Sequence, residues 1–251
     1  MKIPNCLLIN ETGTSRRLFP ESLYADPLGA SPIFQRAPNG RKRQWLCGLL
    51  CAGLWVLAIG NALAETPAEN PIALFNGQDL TGWHTEGNSH WEVQQGVLVG
   101  RQGPNNAPGD LLTDAEFDNF ELTVVFKMHW PGNSGVWYRY QSANQAFQAD
   151  ILEYKEPFAL TGSLYCTGKM FIARNTDAKL VRRDDWNTLV IRAVGDRQVI
   201  TLNGTQVADV RDTTSDHGRI GFQIHAGREF EPMRIFIQSA KLRQLDPTVT
   251  K

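Results

Sequence analysis

The stretch "RQVITLNGTQVADVRD", residues 197–212, alternates apolar and polar side chains on both sides of Asn203-Gly204. A period of two puts successive side chains on opposite faces of an extended chain. Asn-Gly is the dipeptide that a two-residue type I′ hairpin turn favours, because both turn residues need positive φ. The stretch therefore reads as two antiparallel strands and a tight turn. Asn203-Gly204-Thr205 also spells a glycosylation sequon, but the turn explains it fully. Working outward, strands are expected near 90–100, 119–130, 134–142, 146–154, 186–195, 218–227 and 233–245, each bounded by turn residues. Long helical periodicity is absent. No repeat of about 20–50 residues recurs, which argues against a propeller or solenoid. Many short strands with regular turns imply an all-β sandwich or jelly roll forming a single domain.

The first sixty-odd residues stand apart. Arg41-Lys42-Arg43 precede the apolar run "WLCGLLCAGLWVLAIG" and then Ala62-Leu63-Ala64, the order of a secretory signal peptide. A spanning helix usually needs about 20 apolar residues, so an anchor is the weaker reading. Residues 1–64 are read as leader and signal peptide, 65–71 as linker and 72–247 as the domain, exported to the periplasm or beyond the cell. The leader holds seven of the 25 basic and three of the 26 acidic residues, leaving 18 and 23 and a net charge of −5. That charge argues against nucleic acid or an anionic membrane as partner. Of four cysteines only Cys166 remains after cleavage, so no internal disulfide can form and the fold must rest on its core.

Counting by twos along three strands gives the candidate site. Ile220, Phe222 and Ile224 share one face, leaving Gly221, Gln223 and His225 on the other. Val136, Tyr138 and Tyr140 share a face opposite Trp137 and Arg139; Gln148, Asp150 and Leu152 lie together. A solvated outer face is what antiparallel sheets usually have. This one offers amides, a carboxylate, a cation and an aromatic, which suit a sugar whose ring stacks while its hydroxyls are bridged. Glu153 faces away from Asp150 on a regular strand and joins the set only through a bulge. The histidines show no metal-ligand spacing, and no cofactor is expected. A divalent metal held by loop oxygens is left open without support.

"FQADILEY" (147–154) has the spacing Gln-x-Asp-x-x-Glu, where laminarinase-type β-glucanases carry Glu-x-Asp-x-x-Glu. An amide in the nucleophile's place forms no glycosyl ester. "ALFNGQDLTGW" (73–83), "GDLLTDAEFDNFELTVVFKM" (109–128), "GNSGVWYR" (132–139), "FQADI" (147–151), "GSLY" (162–165), "WNTLVIRAVGDRQVITLNG" (186–204) and "GRIGFQIHAG" (218–227) follow in this order. Together they resemble the 3-keto-disaccharide hydrolase domain of secreted bacterial proteins. The resemblance implies a concanavalin A-like jelly-roll sandwich acting on oxidised (3-keto) glycosides. It also implies a chemistry that needs no nucleophile: proton removal at C2, elimination of the C1 aglycone, then hydration. On that reading Asp150 or His225 is the base and Arg139 stabilises the enolate oxygen. Gln148, Gln223 and Asn133 hold hydroxyls, Trp137 supplies a stacking surface, and Glu153 belongs to the binding set. The alternative is a non-catalytic glycan-binding module on the same fold. The loop after "FQADI", where Cys166 and Thr167 follow Tyr165, departs from the usual family pattern.

Overall fold

The structure is a computed structural model that describes residues 70–246. The expected signal region and residues 65–69 of the linker lie outside them. In chain order the strands are β1 (Ile72–Ala73), β2 (Trp83–Gly87), β3 (His90–Gln94), β4 (Val97–Arg101), β5 (Gly109–Phe117), β6 (Phe120–His129), β7 (Asn133–Ser142) and β8 (Gln145–Lys155). They continue with β9 (Phe158–Cys166), β10 (Met170–Asn175), β11 (Asn187–Val194), β12 (Arg197–Leu202), β13 (Thr205–Arg211), β14 (Gly218–Ile224) and β15 (Arg234–Gln244). Only three short 3₁₀ turns interrupt them among the described residues.

Two antiparallel sheets result. One runs β13-β12-β11-β6-β15-β4-β3, with β1 added beside β15 through Ile72 and Leu242; the other runs β10-β9-β8-β7-β14-β5-β2. Asn203 (φ 49°) and Gly204 (φ 87°) form the expected hairpin turn between β12 and β13. The stretch 90–100 holds a second such hairpin, with Gln95 (φ 51°) and Gly96 (φ 82°) between β3 and β4.

The core lies between the sheets. Leu122, Val124 and Phe126 of β6 pack in the same apolar cluster as Val136, Tyr138, Ile220, Phe222 and Ile224 of the second sheet. Burying each such side chain contributes roughly 1.5–3 kcal/mol. Trp83 stacks on Phe222 at 5.5 Å between ring centres, and Tyr138 on Phe147 at 5.4 Å. Cys166, the free cysteine of the described residues, is packed here and donates from Sγ to Thr214 Oγ1 at 3.2 Å.

One strand departs from strict alternation. Between Trp137 and Tyr140, β7 spends three residue steps where its partner β14 spends two, from Gly221 to Arg219. The extra residue is a β-bulge, and Arg139 within it has φ 48°. The bulge moves Tyr140 off the Tyr138 face and onto that of Trp137, whose ring it meets edge-on at 5.7 Å.

Candidate functional site

Cross-strand register builds the site. Glu86, Asp110, Gln223, Gly135 and Asp150 stand side by side across β2, β5, β14, β7 and β8. Two residues along each strand, on the same outer face, comes a second row of Leu112, Gly221, Trp137, Gln148, Tyr165 and Phe171. On the other side of the first row, Asn133 stands opposite Leu152 and accepts the backbone N–H of His225 at 3.2 Å. The three rows enclose a cleft of about 210 Å³ lined by Asn133, Trp137, Gln148, Asp150, Leu152, Tyr154, Tyr165, Met170, Phe171, Gln223 and His225. Drug-sized pockets occupy about 300–1,000 Å³, so this one is in scale with a single sugar ring.

The cleft's floor is unusual in its hydrogen bonding. Asp150 is 2% exposed and its Oδ2 has no partner; Gln148 is 4% exposed and its Nε2 has none. A buried polar group left unpaired costs about 1–3 kcal/mol, so two neighbours in one cleft ask for a polar ligand. Burial pushes the Asp150 carboxyl well above the usual carboxylate range. Gly135 shapes the floor: a Cβ there would sit 2.5 Å from Gln148 Cδ, so the Gln148 chain lies directly against that backbone.

One wall is aromatic. Trp137, Tyr165, Phe171 and Tyr154 meet in sequence with tilted rings, at centre distances of 6.2, 6.4 and 5.5 Å. Burial first, and then the charge of Asp150, push the Tyr165 phenol up, so it remains a proton donor. Trp137 itself is only 7% exposed, its Nε1 donating to Asp110 Oδ1 at 2.8 Å. It offers an edge rather than the open stacking platform expected of it, and Tyr154, Tyr165 and Phe171 carry more of the apolar wall.

His225 stands at the exposed rim, where its Nδ1 lies 2.6 Å from the Ala226 carbonyl oxygen. The loop behind it is pinned by Gln102, whose Nε2 donates to the carbonyl oxygens of His225 and Gly227 at 2.9 and 2.8 Å.

Six of the eight expected residues thus line one cleft: Asn133, Trp137, Gln148, Asp150, Gln223 and His225. Two do not. Arg139 is turned away by the bulge and buried at 1% exposure, its guanidinium held by the carbonyl oxygens of Asp118, Gly195 and Ser215. It cannot serve as the oxyanion stabiliser from there. Glu153 is exposed and ion-paired with Arg183, on the face away from Asp150, because β8 carries no bulge to bring it round. Tyr154, Tyr165, Phe171 and Asp110 were not expected. Tyr154 continues the alternation of Gln148, Asp150 and Leu152 along β8, whereas only the β8–β9–β10 register shows that Tyr165 and Phe171 face the cleft.

Among the described residues no three or more His, Cys, Asp or Glu are grouped to hold a metal ion. Larger hollows of about 630 and 430 Å³ lie on the outer face of the other sheet. Lys127 occupies them, its Nζ 5.1 and 5.4 Å from the ring centres of Trp186 and Phe236. Neither has an unpaired buried polar atom in its lining. A third hollow, of about 350 Å³, is lined by Arg139, whose Nη2 is unpaired, but it has no second such group and no apolar side chain. The unpaired pair beside an aromatic wall, rather than size, favours the smaller cleft.

Known proteins agree with this architecture. The fold is that of a galectin-like protein of Bacillus subtilis (TM-score 0.56, 14% identity, covering 70% of this chain and 97% of that one). It is also that of the carbohydrate-binding module CBM66 from the same species (TM-score 0.51, 18% identity, 65% and 96%). A 3-keto-disaccharide hydrolase of Bacteroides thetaiotaomicron is 31% identical over 97 residues, 34% of this chain. The match spans only a third (33%) of that relative's length. Residues 70–236 match the 3-keto-alpha-glucoside-1,2-lyase-like domain, and the chain belongs to that family.

Proposed function

We propose that the protein is an exported enzyme that cleaves 3-keto-glycosides by elimination and hydration. The observation that carries this reading is the pair of unpartnered groups on the cleft floor, Asp150 Oδ2 and Gln148 Nε2. A ketone at C3 makes the C2 hydrogen acidic, and its removal calls for a base together with a donor for the developing oxyanion. Asp150, a desolvated carboxyl and hence a strengthened base when ionised, takes the C2 proton. Gln148 Nε2 holds the C3 oxygen as negative charge gathers there, the part that Arg139 is too far buried to play. The electron pair forms the C1–C2 double bond as the C1–oxygen bond breaks, and His225 at the rim supplies a proton to the leaving oxygen. Water then adds across the double bond, giving the free 3-keto sugar and the alcohol. Asn133 and Gln223 bridge hydroxyls. Gln148 occupies the nucleophile position of the glucanase pattern without loss, because no glycosyl ester forms.

The test is incubation with matched oxidised and unoxidised disaccharides and mass detection of products. Cleavage restricted to the 3-keto substrate is expected. Saturable binding of unmodified glycan with no turnover of any 3-keto sugar sinks the proposal and favours a binding module, a role the lectin-like fold also suits.

A further inference from the structure

Asp110 of β5 faces the same side of its sheet as the cleft but has no part in the chemistry above. It stands opposite Gln223 on one side and Glu86 on the other. Its Oδ1 accepts the indole N–H of Trp137 at 2.8 Å, while Tyr140 and Tyr165 close on the same indole edge-on at 5.7 and 6.2 Å. Trp137 is the register partner of Gln148 across β7 and β8. A fixed indole therefore limits where the Gln148 amide can lie, and Asp110 supplies the only hydrogen bond of that indole N–H among the described residues.

We propose that Asp110 is a positioning residue of the cleft, its carboxylate fixing the indole of Trp137 so that Trp137 and Gln148 present a set surface to the sugar. This rests on the reading of the cleft as the reaction site. It also gives the cleft a pH response. The groups facing Asp110 are Glu86 on β2, Trp137 and Tyr140 on β7, Gln223 on β14 and His225 just beyond it, with Tyr140 donating to Glu86 at 3.2 Å. Burial, the largest cause, and the charge of Glu86 raise the Asp110 carboxyl to about 6, against the Trp137 hydrogen bond and the attraction of His225. Below that pH the carboxyl is neutral and its charge-assisted bond to the indole weakens; above it the bond is at full strength.

Two measurements on the full chain test this. In ¹⁵N-labelled protein, with the Trp137 indole resonance assigned by its loss in Trp137→Phe, that resonance is expected to titrate with a midpoint near 6, and to stop titrating in Asp110→Asn. With a 3-keto-glucoside, Asp110→Ala should lower kcat/KM roughly ten- to a hundredfold, the scale of a misplaced binding group. Asp110→Asn, which keeps an acceptor for the indole, should recover most of it at neutral pH; the fall toward acid set by the base Asp150 remains in both variants. A resonance that does not titrate, or an Asp110→Ala enzyme with wild-type kcat/KM, overturns the proposal. If no 3-keto-glycoside is cleaved at all, the lyase reading fails separately, and the resonance alone decides whether Asp110 holds Trp137.

Discussion

Arg139 donates from Nη1 to the carbonyl oxygen of Gly195 at 2.7 Å, reaching from the β7 bulge to the turn between β11 and β12. The same guanidinium donates from Nε to Asp118 at 2.9 Å and from Nη1 to Ser215 at 3.3 Å, while Ser215 Oγ donates back to the Arg139 carbonyl oxygen at 2.7 Å. A buried cation gathers three loops. Replacing it with alanine leaves three carbonyl oxygens without that partner, so Arg139→Ala should cost about 3 kcal/mol or more. Urea unfolding checks the loss. Turnover per folded molecule should be preserved in any variant that still folds, and a selective loss of kcat without loss of stability would return Arg139 to the reaction centre.

Asp150→Asn should separate stability from activity. The folded carboxyl binds its proton more tightly than the unfolded one, so its contribution to stability is present at low pH and is lost as pH rises through the raised value. An amide cannot ionise and escapes that loss. The variant should therefore unfold at a higher temperature than wild type at neutral to alkaline pH, with the gap closing in acid. Its turnover of a 3-keto-glucoside should fall about 10²- to 10⁴-fold, the range of a lost general base. Calorimetry across pH and steady-state kinetics read the two effects.

Gly135→Ala tests the cleft floor. The new methyl would stand 2.5 Å from Gln148 Cδ and 2.6 Å from Cγ, so the side chain must move. An overpacked site costs about 1–3 kcal/mol. Substrate turnover should drop by more than stability alone explains, seen as reduced kcat in protein that remains folded by circular dichroism.

Glu153→Gln provides the contrast. Its side chain is about half exposed, at 47%, and is paired among the described residues with Arg183, itself 52% exposed. Surface pairs of this kind contribute little. Melting temperature and kcat/KM should both match wild type, stability within about 0.5 kcal/mol.

Much of the sandwich is legible in alternation. Ile220, Phe222 and Ile224 are fully buried, as their spacing predicts, and Gln223 and His225 border the cleft opposite them. Asn203-Gly204 forms the hairpin turn its dipeptide preference predicts, while the Asn203 amide also bonds to Leu180, Asn187 and Thr188, which the local pattern does not reveal. The misplacement of Arg139 and Tyr140 has a single cause. One inserted residue in β7 resets the alternation, and nothing in "VWYRYQS" marks a bulge, since the residue at positive φ is an arginine rather than a glycine. Asp110 escapes for another reason. Its importance lies in partners far along the chain, Trp137 and Gln223, and single-strand patterning carries no register between distant strands. β9 and β10 likewise become visible as a cleft wall only after they pair with β8.

The pairing of β1 with β15 has a practical reach. Ile72 lies beside Leu242 and Ala73 beside Lys241, so the two termini of the described domain meet in the sheet that does not carry the cleft. New chain ends can be opened in an exposed turn such as Ala143-Asn144 once a short peptide joins the old ones. A tether, reporter or neighbouring module attached at either end hangs from that opposite layer, leaving the sugar-facing side open to bulk.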